Sequence, residues 1–378
     1  MKSPMQIERV VIVGAGLSGL TAAYYLRERG IDPLLLDRAE VVGSSWRARH
    51  PQLSLNTHRS VSHLPGLKYP AKTSAFPKRD DVVRHLEDFA RKHAFRISHG
   101  KDVTSIRHLD SRYEIEVGGN KVVADNVVVA SGRDNKPGEL DIEGLESFQG
   151  TRLHAAAFGD AKQYLGKGVL VVGGGNSGFD VVNHLSRVRT ANVWLSVRSG
   201  SNILPKRLRG IAVHRFSPLM ERLPIWASDA GIRIAERIAF GDLRKVGLPI
   251  PSIGAATRLR REQIAIPVDD GAIQSMKDGR TVVVAEILRI DGAKVYFADG
   301  RIEEPEYLID ATGYTSGLTI MLSELGILNC KGNPQFVEQN AAKQLPGLWF
   351  VGMKPSLVSY FDSASREARA LASAIAQR

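Results

Sequence analysis

A glycine triplet that follows a β-branched run and opens a helix occurs twice in this chain, and no other feature limits its fold as strongly. The first copy, VVIVGAGLSGLTAAYYLRER, lies within Arg9–Arg29, and the second, GVLVVGGGNSGFDVVNHLSRV, spans Gly168–Val188. A continuous Val/Ile run predicts a strand buried on both faces of a parallel sheet. Apolar residues at helical spacing follow each triplet. Gly14 permits a tight turn, Gly16 lets the backbone approach a pyrophosphate, and Gly19 lets helix and strand pack closely; Gly173, Gly175 and Gly178 repeat the spacing. Asn176 and Ser177 stand at the second helix start, where free N–H donors and the dipole favour phosphate. A single triplet is weak support for a nucleotide site, given ordinary glycine usage. Two copies, each between a strand and a helix, predict two dinucleotide sites.

The expected fold is therefore α/β, with two Rossmann-like dinucleotide-binding domains. Return strands that end in glycine recur as ASG at 130–132 and ATG at 311–313. Residues 103–129 and 281–310 each suggest an antiparallel excursion before the return. This pattern predicts a second domain inserted in the first, with bounds 1–159, 160–304 and 305–378. The stretch 133–150 reads as a linker and Ser363–Gln377 as a last helix. Thr312, Gly313 and Gly352 complete the candidate cofactor-binding glycine turns.

The residue that ends each second strand separates the two sites. The run PLLLD ends at Asp37, with Arg38 beside it. A carboxylate there accepts from a ribose 2′-hydroxyl and repels a 2′-phosphate, which suits FAD or NAD. The run NVWLSV instead leads into Arg198 and Ser199, with Lys206 and Arg207 close behind. A guanidinium at that place can clamp a 2′-phosphate, so this loop is expected to prefer NADPH. The alternative for Arg198 is a merely solvated strand end.

Composition removes other classes. The net charge is +11, but Lys and Arg are scattered and neither an RNA-binding aromatic motif nor a finger is present, so nucleic acid is not an expected partner. Anionic cofactors or an acidic substrate account for the excess, as does a solvated basic surface. Cys330 is the only cysteine, which excludes a paired-thiol centre within one chain. His50, His58 and His63 lack metal-ligand spacing, and no metal site is expected. No Gly-x-Ser-x-Gly elbow occurs. No apolar run spans a bilayer, and MKSPMQIERVVIVGAG enters a strand without a leader, so a cytoplasmic protein without a membrane partner is expected. Oligomeric state is open, a homodimer included.

Phe148-Gln149-Gly150-Thr151-Arg152-Leu153-His154-Ala155-Ala156-Ala157-Phe158 fits FxGxxxHxxxF/Y at every specified position, directly before the second glycine loop. With GGGNSG, ATGY at 311–314 and Gly43…Trp46-Arg47, the chain resembles the class B flavin-dependent monooxygenases, in particular the flavin-containing monooxygenases. VRSGSNILPK, GDLRKVGLP and IPVDDGAIQSMKDGR look most like the YUCCA-type branch. Two departures stand out: Ser44 where the family usually has a second glycine, and Asp37 where it usually has Glu. The resemblance implies FAD at the first loop and NADPH at the second, hydride transfer to flavin, and a flavin hydroperoxide that hands one oxygen atom of dioxygen to a small amine, sulfide or aryl keto acid. Asn56, in LSLNT, is similar to the family asparagine beside the flavin and is the candidate catalytic donor; a turn asparagine is the alternative. Trp46 either lines the flavin or belongs to the core, and His154 either couples domain motion to cofactor binding or is structural. Phe158 argues against Baeyer–Villiger chemistry, where a tryptophan is usual. The alternatives are a Baeyer–Villiger monooxygenase, an NADPH-dependent flavoprotein reductase without oxygenation, and a non-catalytic nucleotide-sensing protein.

Overall fold

Val10–Val13 are all buried, so the first β-branched run can only be the interior of a sheet. The computed structural model describes residues 7–330, 332–335, 341, 342 and 344–378; Met1–Gln6, part of the expected leaderless start, lie outside these residues. In space the first sheet runs Arg96–Ser98, Leu34–Leu36, Ile7–Val13 and Asn120–Val129, all parallel. The long strand Asn120–Val129 has two partners on its other edge. Its first half pairs antiparallel with Arg112–Val117, which pairs with Val103–Leu109; its last residues pair in parallel with Leu348–Phe350. The chain thus comes back to its first sheet near its end. The helix Leu17–Arg27 packs on the last helix, Tyr360–Ala376, where Ala364, Ala368 and Ala372 share a core with Leu20, Ala23 and Leu26. That last helix starts ahead of Ser363 because the Ser359 hydroxyl caps it, accepting from Asp362 N.

The second sheet is wholly parallel, in the order Thr281–Val284, Asn192–Ser196, Gly168–Val172, Tyr307–Asp310 and Thr151–His154. Its strands reach from Thr151 to Asp310, beyond the expected limits of 160 and 304. The physical reason is local: a return strand must lie beside its own glycine-loop strand, and Ile309 is paired with Val171. Thr281–Val284 is the sheet's edge, not part of the excursion, which consists of Ile287–Asp291, Lys294–Phe297 and Ile302–Glu303. The 133–150 stretch is also more than a linker, since Lys136–Pro137 pair with Tyr314–Thr315 where the chain crosses back. Among the described residues, no helix is long and apolar enough to cross a membrane.

One buried side chain sets an acid limit on this fold. His85 stacks on Tyr69 at 4.1 Å and its Nε2 accepts from Leu64 N at 3.0 Å. Burial, aided by His63, lowers its pKa from 6.5 to about 4. Protonation would bury a charge and break the Leu64 bond. Because the folded value lies below the unfolded one, the contribution is complete above pH 6.5 and is lost as pH falls from there toward 4. The shift corresponds to about 3 kcal/mol. We expect His85→Gln to flatten the fall of the thermal midpoint across that window; slopes equal to wild type would refute it.

Candidate active site

The two glycine turns are near copies in three dimensions. Gly14 and Gly173 have φ of 104° and 119°, a region that disfavours side chains. A Cβ on either would lie 2.7 Å from a carbonyl oxygen of the neighbouring return strand, Ala130 O or Ala311 O. A Cβ on Gly19 would approach Gly14 O to 1.9 Å, and one on Gly178 would approach Gly173 O to 1.8 Å. Gly16 and Gly175 differ: a Cβ there meets nothing within 4 Å. Turn and packing glycines are thus required by the protein itself, while the middle glycine faces open space. Both helices lack a side-chain cap and an acid in the first turn, which leaves their N–H groups and dipoles for an anionic ligand. Each turn sits where strand order reverses, the usual ligand crevice of such sheets.

At the first turn, Asp37 accepts from Ala15 N at 2.5 Å and Ala39 N at 2.8 Å, so its carboxylate is held against the loop with acceptor capacity to spare. Arg38 donates to Asn135 Oδ1 at 2.7 Å. Gly352, with φ of 71°, abuts the same helix, since a Cβ would lie 2.0 Å from Ser18 Oγ. At the second turn, Arg198 is 79% exposed and only loosely near Glu286, at 3.7 Å. Ser199 and its neighbour Gly200 are instead approached by Arg258, which donates to Gly200 O at 2.7 Å and to Ser199 Oγ at 3.4 Å. This second guanidinium was not anticipated; Arg258 is remote in sequence and carries no motif. Lys206 and Arg207 do not join it. Lys206 Nζ donates to Ser54 Oγ at 3.0 Å and to Asp270 Oδ2 at 3.3 Å, and Arg207 lies over the Phe76 ring at 4.9 Å. Thr312 donates through N and Oγ1 to Asp310, and Gly313 O accepts from Gly138 N.

A strap of the first unit, residues 50–56, faces the second unit with every other side chain. His50 Nε2 is 2.7 Å from Asp180 Oδ2, Gln52 Oε1 accepts from Ala161 N at 2.9 Å, Ser54 takes the Lys206 bond, and Asn56 Nδ2 is 3.4 Å from Asn176 Oδ1. Leu55, between them, packs against the first core. The backbone turns at Pro51 and Gln52, with Leu53 N bonded to His50 O at 3.2 Å, and runs as a bridge beside Lys78 at Ser54. The strap sets the Asn56 amide against Asn176, the first residue of the second helix.

Residues 11–222 match a family described as pyridine nucleotide-disulphide oxidoreductase. A probable indole-3-pyruvate monooxygenase of Arabidopsis thaliana, YUCCA7, is 32% identical over 341 residues, spanning 86% of this chain and 78% of its own length. YUCCA3 of the same plant is 30% identical over 355 residues, spanning 90% and 81%. The chain belongs to the YUCCA-type flavin monooxygenase family. Its fold is shared by a flavin-containing monooxygenase from Stenotrophomonas maltophilia, with a TM-score of 0.75 at 21% identity over 98% of both chains. The protein is accordingly an enzyme, an oxidoreductase of the flavoprotein monooxygenase class.

In this monooxygenase the fingerprint residues all make close contacts within the fold. A Cβ on Gly150 would lie 2.6 Å from Glu306 O and from the Phe148 ring. His154 Nδ1 accepts from Ala156 N at 3.1 Å while Nε2 is 3.0 Å from Gly313 O, which assigns the proton to Nε2. Its ring meets Tyr314 edge-on at 4.8 Å. Phe158 is fully buried, stacked on Tyr164 at 5.0 Å. The departure at Ser44 is harmless: it is not among the positive-φ residues, and its hydroxyl donates to Val41 O. Trp46 is half-buried and packs against the first core.

The monooxygenase also has a titratable cluster that linear spacing concealed. His50, Asp180 and His184 bring their ligand atoms within 4.8 Å of one another. The 2.7 Å His50–Asp180 separation is a direct hydrogen bond, and two ligands of one zinc ion sit farther apart. Burial alone would raise the Asp180 carboxyl, but hydrogen bonds and charge from His184 and His50 outweigh it and hold it below the usual carboxylate range. Cys330, the lone cysteine, is exposed.

Proposed function

We propose that this monooxygenase holds FAD at the Gly14–Gly19 turn and NADPH at the Gly173–Gly178 turn, and oxygenates a small aryl keto acid. The observation that carries the cofactor reading is the pair of open middle glycines, each ahead of an uncapped helix. When bound, flavin supplies hydride acceptance and dioxygen activation. The chain's own residues bind and orient. Asp37 accepts from a ribose hydroxyl, and Gly16 and Gly175 give the pyrophosphates room. Asn56 offers an amide N–H where the two units meet. Arg198, Ser199 and Arg258 receive the 2′-phosphate. The substrate class rests on the named substrate of the YUCCA relatives, indole-3-pyruvate, and on the basic balance of the chain.

Two experiments test the reading. Arg198→Ala should raise KM for NADPH by about tenfold, the scale of a lost charge-assisted contact, with little change for NADH. Equal effects on both would remove the phosphate clamp. Mixing NADPH-reduced enzyme with oxygen should give a transient absorbance distinct from both oxidised and reduced flavin, and an aryl pyruvate should then release carbon dioxide in step with NADPH consumption. Direct return to the oxidised spectrum, with substrate or without, would make the protein a reductase.

A further inference from the structure

The segment 211–240, which ends in the helices Ser217–Arg222 and Ile225–Phe240, separates its charges in a way no cofactor site requires. It contains three acids, and each is engaged by the protein. Glu221 pairs with Arg366 and accepts from Ser356 Oγ. Asp229 accepts from Ala256 N, Thr257 N and Thr257 Oγ1. Glu236 accepts from Ile203 N and Asn202 Nδ2. The four arginines, Arg215, Arg222, Arg233 and Arg237, are all exposed, and none forms an ion pair among the described residues.

Between these cations stand large apolar side chains. Trp226 is 72% exposed, Leu219 61%, Ile238 60% and Ile234 59%. On the helix Ile225–Phe240, residues 226, 230, 233, 234, 237 and 238 fall on one face by the 3.6-residue repeat. Scattered exposed apolar residues need no explanation, but a tryptophan and two isoleucines on one helical stripe do.

We propose that this face docks the protein reversibly on an anionic lipid bilayer, with Trp226, Ile234 and Ile238 entering the interfacial region and the arginines meeting lipid phosphates. An amphipathic helix with aromatic and aliphatic residues beside arginines is the physical pattern of surface binding, which needs no spanning helix. A twofold dimer through the same face would bring two sets of these arginines together with all three acids of the segment already engaged, a repulsive arrangement. Nucleic acid would leave the isoleucines without partners.

The test is flotation of the full chain with phosphatidylcholine vesicles, with and without one-third phosphatidylglycerol, at low and high salt. Binding is expected only with the anionic lipid, weakened by salt. Arg233→Gln and Arg237→Gln should each lower the partition coefficient about fivefold, and Trp226→Ser at least as much, with unchanged thermal midpoints and NADPH oxidation. No flotation with the anionic vesicles at low salt overturns the proposal, as does flotation that these substitutions leave unchanged. A wild-type dimer that Trp226→Glu converts to monomer also overturns it and makes the face a protein interface.

Discussion

Gly16→Ala is expected to yield a folded protein that has lost FAD, whereas Gly19→Ala is expected to lose the fold around the loop itself. The difference follows from what each new methyl group would meet. At Gly19 it would stand 1.9 Å from Gly14 O and 2.9 Å from Gly14 C, backbone atoms that cannot rotate away. The helix would have to leave its strand, an overpacking cost of about 3 kcal/mol or more. At Gly16 the φ of −80° suits any residue and nothing lies within 4 Å, so the thermal midpoint without cofactor should move by no more than about 1 kcal/mol would move it. The methyl group would occupy the space assigned to the pyrophosphate. Flavin absorbance per chain should therefore fall to near zero. The same substitution in the second loop, Gly175→Ala, should retain FAD and its reduction by dithionite while losing reduction by NADPH. Retention of FAD in Gly16→Ala, or its loss in Gly175→Ala, would reverse or remove the assignment of the loops.

That pair of turns was legible in the sequence because each glycine answers a demand made within its own strand–turn–helix unit. Asp37 was legible for a similar reason: it directly follows the strand Leu34–Leu36, and Ala15 N reaches it from the neighbouring loop. The inserted arrangement followed from the repeated return strands. Its limits did not, because strand pairing across sequence decides which sheet owns Thr151–His154 and Tyr307–Asp310. Lys206 and Arg207 misled by adjacency: close to Arg198 in sequence, they turn instead toward Ser54, Asp270 and Phe76.

The strap 50–56 shows a different limit. Its polar residues stand at 50, 52, 54 and 56, with Leu53 and Leu55 between. The pattern tells which side chains share a face, not what stands opposite. Asp180 and Arg258 belong to helices that arrive from far along the chain, so neither could be attached to His50 or Ser199 by spacing. His154 was readable as a fingerprint residue, yet its role as a tie between Ala156 and Gly313 emerges only from the two hydrogen bonds.

Asp180→Ala should weaken both the fold and the communication between the two loops. The carboxylate receives His50 Nε2 at 2.7 Å from the first unit and lies 3.6 Å from His184 Nε2, one turn along its own helix. His50 is buried, and its Nδ1 already lacks a partner; removing Asp180 would leave the ring with no polar contact at all. Leaving a buried polar group without its partner costs about 2 kcal/mol. Because the Asp180 pKa is held down by its histidines against the opposing effect of burial, its contribution is complete above the ordinary value of 3.8 and disappears as pH falls below it. The wild-type and Asp180→Ala midpoints should therefore differ most at neutral pH and converge in acid. Asp180 also lies on the helix whose first residue, Asn176, meets Asn56. A small displacement of that helix would misplace the nucleotide proposed to bind there against the flavin, and such errors slow transfer by about ten- to a hundredfold. Rapid-mixing measurement of flavin reduction by NADPH should show that loss, with dithionite reduction unaffected. His184→Gln, which leaves the His50 bond in place, should retain most of the wild-type rate. An Asp180→Ala protein that kept both the wild-type midpoint and the wild-type reduction rate would mean that the His50–Asp180 bond holds neither the units nor the loops in register.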